Sequence, residues 1–183
     1  MAAADAGKPE KWLALMPAFF NGMLDAAAPG VTFIDGNEHA YYYESPDAYY
    51  RSYHLMKQRA QALVAEENRP KYISQAQAGM ALYVDEVLGR RKNKKTTGFY
   101  LIPEKRLRFF EHNTYYALTT TDEYVWLYSE TMNWWTDSVP EGLEAAVISA
   151  RQKYEQGKPL GYDITDMIKE AREKRAQEEK KKK

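Results

Sequence analysis

Three short stretches place carboxylates directly after runs of β-branched and aromatic residues. VTFIDGNEH (31–39) carries Asp35, Asn37 and Glu38; ALYVDE (81–86) carries Asp85 and Glu86; EYVWLYSE (123–130) carries Ser129 and Glu130. Carboxylates gathered in one place can divide acid and base work. Crowding raises the pKa of one, which then donates a proton near neutral pH while another stays ionised. Glycosidic bond cleavage uses this division: one acid protonates the leaving oxygen, and a second carboxylate acts as nucleophile or activates water. Glu38 and Glu130 are the candidate catalytic pair. Rings and amides follow each of them: Tyr41, Tyr42 and Tyr43 after Glu38, and Asn133, Trp134 and Trp135 after Glu130. Flat apolar ring faces suit the C–H faces of sugars. The candidate substrate-binding residues are Asp35, Asn37, Tyr41, Tyr43, Asp85, Glu86, Asn133, Trp134 and Trp135. A plainer reading stands beside this one. Asp-Gly-Asn is ordinary turn composition, Asp85 and Glu86 can pair with Arg90 and Arg91, and neighbouring rings cannot all face one ligand.

Other chemistries find less support. The chain has no cysteine, which removes disulfides, thiolate metal sites and cysteine nucleophiles. His39, His54 and His112 are widely spaced and form no His-Glu-x-x-His motif, so no metal and no cofactor are expected. A hard divalent cation on Asp35, Asp85 and Glu86 is the one metal alternative. Phosphate-binding glycine motifs and the G-x-S-x-G elbow are absent. The basic loop GRRKNKK (89–95) reads as solvated. With 26 basic and 26 acidic residues the formal charge is zero, which argues against a dedicated nucleic-acid binder. No apolar run approaches the roughly 20 residues of a membrane helix. MAAADAGKPEKW shows no basic segment followed by an apolar one, so no signal peptide is expected and the cytoplasm is the default compartment.

The elements that must position these residues alternate. Apolar residues at three- and four-residue spacing predict a helix over 9–28, kinked or restarted at Pro17. Val31–Ile34 predicts a strand buried on both faces. Ser45-Pro46 opens a long helix with Ser45 as N-cap and Tyr49, Tyr53, Met56, Ala60 and Leu63 inward; Asn68-Arg69-Pro70 interrupts it, and helix resumes to about Gln77. Strands follow at 81–84 and 123–128, separated by a helix from Pro103. A last core helix begins near Pro140. Helix–strand alternation predicts an α/β domain with a short parallel sheet of about three strands and crossover helices. Residues 1–8 read as a flexible N-terminus, 9–157 as the domain, and 158–183 as a charged helical or disordered tail.

FIDGNEHAYYY, ALYVDE and HNTYYALTTTDEYVWLYSETMNWW resemble the C-terminal half of a bacterial glycoside-hydrolase-like (β/α)8-barrel protein, over roughly residues 10–157. Asn37-Glu38 is similar to the Asn-Glu pair that carries the acid/base in many retaining barrel glycosidases, and Glu130 is similar in placement to their nucleophile. The resemblance implies part of a TIM barrel and a carbohydrate ligand. Two departures accompany it. A complete barrel has eight strands, and Glu38 and Glu130 stand only two β/α steps apart instead of three. Three strands also leave two sheet edges unpaired, to be met by a second copy of the chain or by a missing N-terminal half-barrel. A non-catalytic carbohydrate-binding module, or a structural module associating through those edges, is the alternative.

Overall fold

The computed structural model describes residues 15–91, 96–136 and 138–181. The N-terminal 1–8 segment, the first part of the predicted 9–28 helix and most of the basic loop lie outside the described residues. Seven α-helices and four strands are described: α1 (Met16–Ala26), β1 (Phe33–Asp35), α2 (Pro46–Lys57), α3 (Arg69–Gln75), β2 (Ala76–Ala78), β3 (Met80–Tyr83), α4 (Val84–Val87), α5 (Pro103–Thr119), β4 (Val125–Tyr128), α6 (Leu143–Glu155) and α7 (Thr165–Lys180). The class is mixed α/β, as expected from the alternation.

Parallel pairing is the rule in both two-stranded sheets. β1 pairs with β2 (Phe33 with Ala76, Asp35 with Ala78), and β3 pairs with β4 (Met80 with Val125, Tyr83 with Tyr128). Gly79 alone separates β2 from β3, and backbone hydrogen bonds bridge the gap. The Gly79 N–H donates to the Asp35 carbonyl at 2.8 Å, and the Met80 N–H donates to the Tyr124 carbonyl at 3.1 Å. Successive N–H groups of an extended chain point to opposite edges, so β1 and β4 flank one central strand. A side chain at Gly79 would press on Ile34 Cγ2 and the Trp126 ring. Strands β3 and β4 end together at Tyr83 and Tyr128, the side where α/β proteins bind ligands; β1 ends lower, level with Ala78, and only the 3-10 segment after it, Glu38–Tyr42, reaches that rim, so Asp35 does not join the other strand-end carboxylates.

Several local expectations are corrected. Pro17 does not sit mid-helix: the described α1 begins at Met16 with Pro17 in its first turn, where its missing N–H costs no hydrogen bond, in keeping with a start there and not with a kink. β1 is half-buried to exposed, with Ile34 44% accessible, so it is not buried on both faces. The long helix stops at Lys57 and continues as 3-10 turns at Arg59–Leu63 and Glu66–Asn68, leaving Leu63 exposed. Ser45 is extended at the N-cap but makes no side-chain capping bond. The helix expected to reach Gln77 ends at Gln75, and Ala76–Ala78 enter the sheet. Asp85 and Glu86 lie in α4.

The core is split by the sheet. On one side Phe109, Phe110, Leu143 and Ala146 from α5 and α6 meet Val84, Val87, Leu88 and Leu101. Ile164, Ile168 and Ala171 join that cluster, so one face of α7 is buried although the segment is highly charged. Tyr49 and Met56 of α2 meet Met80, Leu82 and Ala117 in a second cluster. Leu24, Ala60, Val64 and Tyr72 form a third under α1. At the opposite end from the rim, Asp122 accepts from Lys57 Nζ at 2.8 Å, Tyr53 OH at 2.9 Å and the Ala78 N–H at 2.7 Å. Burial pushes its pKa up, but these donors outweigh burial and lower it.

Candidate functional site

Each strand hands the rim a tyrosine. β3 ends in Tyr83 and β4 in Tyr128, and the turn after β1 supplies Tyr41 from the 3-10 segment Glu38–Tyr42. The three rings form one cluster. Tyr41 stacks on Tyr128 with centroids 5.7 Å apart and planes 22° off parallel, and Tyr83 lies 5.3 Å from Tyr41 and 5.0 Å from Tyr128. The Arg91 guanidinium sits 5.3 Å from the centre of the Tyr83 ring, within cation–π reach. Glu38 and Glu130 flank the cluster from different sides. Burial raises the Tyr41 pKa, and the Glu38 charge adds to it. Burial also raises the Tyr83 pKa well above that of a free phenol, helped by Glu130. Tyr128 OH donates to Glu130 at 3.3 Å.

The strand-end carboxylates have different fates. Asp85 is fully buried. It accepts from the Glu130 N–H at 2.6 Å, Ser129 Oγ at 2.9 Å, the Thr131 N–H at 3.3 Å and Thr131 Oγ1, with Arg90 Nε at 3.5 Å. Burial alone would raise its pKa; the donors lower it. Asp85 thus fastens the loop after β4 to α4, and a ligand at the surface does not reach it. Asp35 and Glu38 are exposed, and Asp35 accepts the Asn37 N–H at 3.1 Å in its own turn. Asn37 adopts a left-handed backbone (φ 40°), which asparagine tolerates better than most residues. Its amide turns inward, donating to Ser52 Oγ at 2.7 Å and lying 3.4 Å from Tyr43 OH. Tyr43 packs edge-on against buried Tyr49. Asn133 Oδ1 accepts the Trp135 N–H at 2.9 Å, closing a turn that leaves Trp135 93% and Trp134 49% exposed.

Two hollows adjoin the tyrosines. A groove of about 490 Å³ contains Asp35, Asn37, Glu38, His39 and Trp126. A separate cavity of about 300 Å³ is lined by Tyr41, Tyr42, Glu44, Glu86, Arg91 and Arg175. Its floor depends on close backbone approach: a Cβ at Gly98 would overlap the Val87 carbonyl oxygen, and Gly89 holds a left-handed φ of 64° against Gly98. Glu86 pairs with Arg91 Nη1 at 3.4 Å, and its side chain is only 13% exposed. Burial raises the Glu86 pKa and the nearby Glu44 charge adds to it, against Arg91. Glu44 accepts from Thr97 Oγ1 and from Arg172 Nε at 2.9 Å. Glu44, Arg172 and Arg175 were absent from the candidates drawn from the sequence; Glu44 follows the tyrosine triplet outside any strand end, and the arginines belong to the charged C-terminal segment.

Among the described residues no cluster of three His, Asp or Glu side chains could hold a metal ion, and no helix is long and apolar enough to cross a membrane. His112 is buried in α5, with Nδ1 2.9 Å from Asn113 Oδ1. Comparison with protein-family models, curated proteins and solved structures finds no match.

Proposed function

We propose that the strand-end rim is the carbohydrate-binding cleft of a glycoside-hydrolase-like protein. The observation that carries this reading is the tyrosine cluster: Tyr41, from the 3-10 segment after β1, stacks on Tyr128 at the end of β4, and both pack against the buried Tyr83 ring at the end of β3, with Glu38, Glu130 and Arg91 at its margins. Ring faces beside carboxylates suit a ligand that is apolar on its C–H faces and rich in hydroxyl donors on its edges. Trp134 and Trp135 are exposed on the loop after β4 and offer two further ring faces. Calorimetric titration of a panel of neutral and acidic oligosaccharides tests the reading. Saturable binding is expected for at least one, weakened about tenfold or more by Tyr41→Ala, where a lost stacking contact is worth roughly 1–3 kcal/mol on the scale known for base stacking. An absence of binding across the panel would refute it.

A second reading rests on a different face. Each outer strand, β1 and β4, has one edge without a strand partner among the described residues, and Leu15, Phe19 and Ile34 are exposed near β1. Such edges invite pairing with another strand. Sedimentation at micromolar concentration decides it: a dimer dispersed by Ile34→Lys favours association through β1, and a clean monomer rejects it.

A further inference from the structure

The carbohydrate reading leaves open which carboxylates would do chemistry. Glu38 and Glu130 are the pair suggested by resemblance, yet both side chains are exposed, and Glu38 lines the groove beside Asp35 and Asn37 while Glu130 accepts from Tyr128 OH. Proton donation at neutral pH requires a carboxyl group held away from water, close to a second carboxylate and beside a space for a sugar ring. Among the described residues, one cavity combines these features. Glu86 and Glu44 line the same cavity of about 300 Å³, together with the Tyr41 and Tyr42 rings and the Arg91 and Arg175 side chains.

Resting on the carbohydrate reading of this rim, we propose that Glu86 is the proton donor and Glu44 its partner carboxylate, acting on a sugar ring seated between Tyr41, Tyr42 and Arg175. Three independent features support the assignment. Glu86 is positioned by a short helix that begins one residue past the end of β3, so the central strand delivers it to the rim. Its side chain is mostly buried, and its ion-pair partner among the described residues, Arg91, is 31% exposed and joined at a long 3.4 Å, a contact that a ligand could displace. Glu44 comes from a different part of the chain and is held by Thr97 and Arg172, so a second carboxylate is fixed in the lining of the same cavity. The groups facing Glu86 are Arg91 from its own side, Glu44 from the turn before α2, and Arg175 from α7; burial and Glu44 raise its pKa while the two arginines oppose them. In the reaction the Glu86 carboxyl proton passes to the glycosidic oxygen as the C1–O bond breaks, releasing an alcohol. The oxygen of a water molecule bonds to C1, and its proton passes to Glu44. Exchange with solvent returns a proton to Glu86, so the sum is hydrolysis.

The experiment compares Glu86→Gln, Glu44→Gln, Glu38→Gln and Glu130→Gln on two sets of aryl glycosides, with 2,4-dinitrophenyl and with methoxyphenyl leaving groups, across pH 4–9. A folded state is verified by thermal unfolding and by oligosaccharide titration. Loss of a general acid costs about 10²–10⁴-fold where the leaving oxygen needs a proton. Glu86→Gln is expected to lose this much on methoxyphenyl glycosides, to keep most of its rate on dinitrophenyl glycosides, and to lose the alkaline limb of the pH profile. A merely structural role for Glu86 would depress both substrate sets alike and leave the limb in place. That result overturns the proposal, as does the leaving-group dependence appearing in Glu38→Gln or Glu130→Gln instead. Wild-type protein that binds oligosaccharide but turns over no glycoside also overturns it while the binding reading stands; failure of both binding and turnover sinks both.

Discussion

Asp35 and Asp85 lie at the ends of neighbouring strands in one parallel arrangement, yet they have opposite surroundings. Asp35 is exposed and accepts a single backbone N–H from its own turn. Asp85 is excluded from water and accepts from Ser129, Glu130 and Thr131, more than forty residues away. Sequence alone makes the two equivalent strand-end carboxylates. What separates them is the origin of their donors. A carboxylate satisfied by its own turn shapes that turn, whereas one satisfied by another strand's loop fixes two parts of the sheet together. The molecule thus divides into an inner frame, where polar groups are satisfied within the protein, and an open rim, where Glu38, Glu130 and Tyr128 are exposed and Tyr41 is half-buried over the buried Tyr83 ring.

If that division holds, the inner frame loses stability on substitution and the rim does not. Asp85→Ala takes the buried acceptor away from the Ser129, Glu130 and Thr131 donors and is expected to cost about 3–5 kcal/mol in urea unfolding, the range for removing one partner of a buried charged network. A cost below about 1 kcal/mol would place Asp85 with the rim groups. His112 makes the next largest claim. Burial pushes its pKa down to about 4 from 6.5. Because the unfolded chain binds the proton more readily, stability is full above about pH 6.5 and is lost as pH falls towards 4. The loss comes to about 3 kcal/mol in all, since each tenfold difference in proton affinity between the two states is worth about 1.4 kcal/mol. His112→Asn should flatten the stability profile across that window. Lowered carboxyl pKa values at Asp85 and Asp122 add a further loss below about pH 4, with the same sign. Gly98→Ala should cost about 1–3 kcal/mol through overpacking against Val87 and should distort the Glu86 cavity. Glu38→Gln and Glu130→Gln, both on exposed side chains, should change stability by no more than about 0.5 kcal/mol; larger losses would draw them into the frame.

The long elements were legible. α5 and α6 carry apolar residues at helical spacing, and the runs at 31–34, 81–84 and 123–128 each coincide with a strand to within two residues. Parallel pairing followed from alternation alone. The sequence concealed β2, because Ala76-Gln77-Ala78 has no strand propensity and continues a helical pattern; its pairing with β1 overrides local preference. Gly79 was the available signal, since a glycine there lets the Ile34 and Trp126 side chains close over the strand. The buried face of α7 was also readable in principle. Ile164, Ile168 and Ala171 recur at four- and three-residue spacing, but the surrounding lysines and glutamates dominate the composition. Missing that face also hid Arg172 and Arg175, and with them the Glu44–Glu86 cavity. The resemblance to barrel glycosidases points to Glu38 and Glu130, whereas the more enclosed pair is Glu86, set by α4, and Glu44, held by Thr97 and by Arg172 of α7.

The most direct test of a carbohydrate rim is NMR of protein labelled at the tyrosine rings during oligosaccharide titration. Tyr41, Tyr83 and Tyr128 should shift together and saturate with one dissociation constant, while Tyr72, whose hydroxyl is bonded to the Met56 carbonyl beneath α1, stays fixed. Rim resonances that do not respond to any oligosaccharide, or shifts confined to tyrosines away from the rim, would contradict the account.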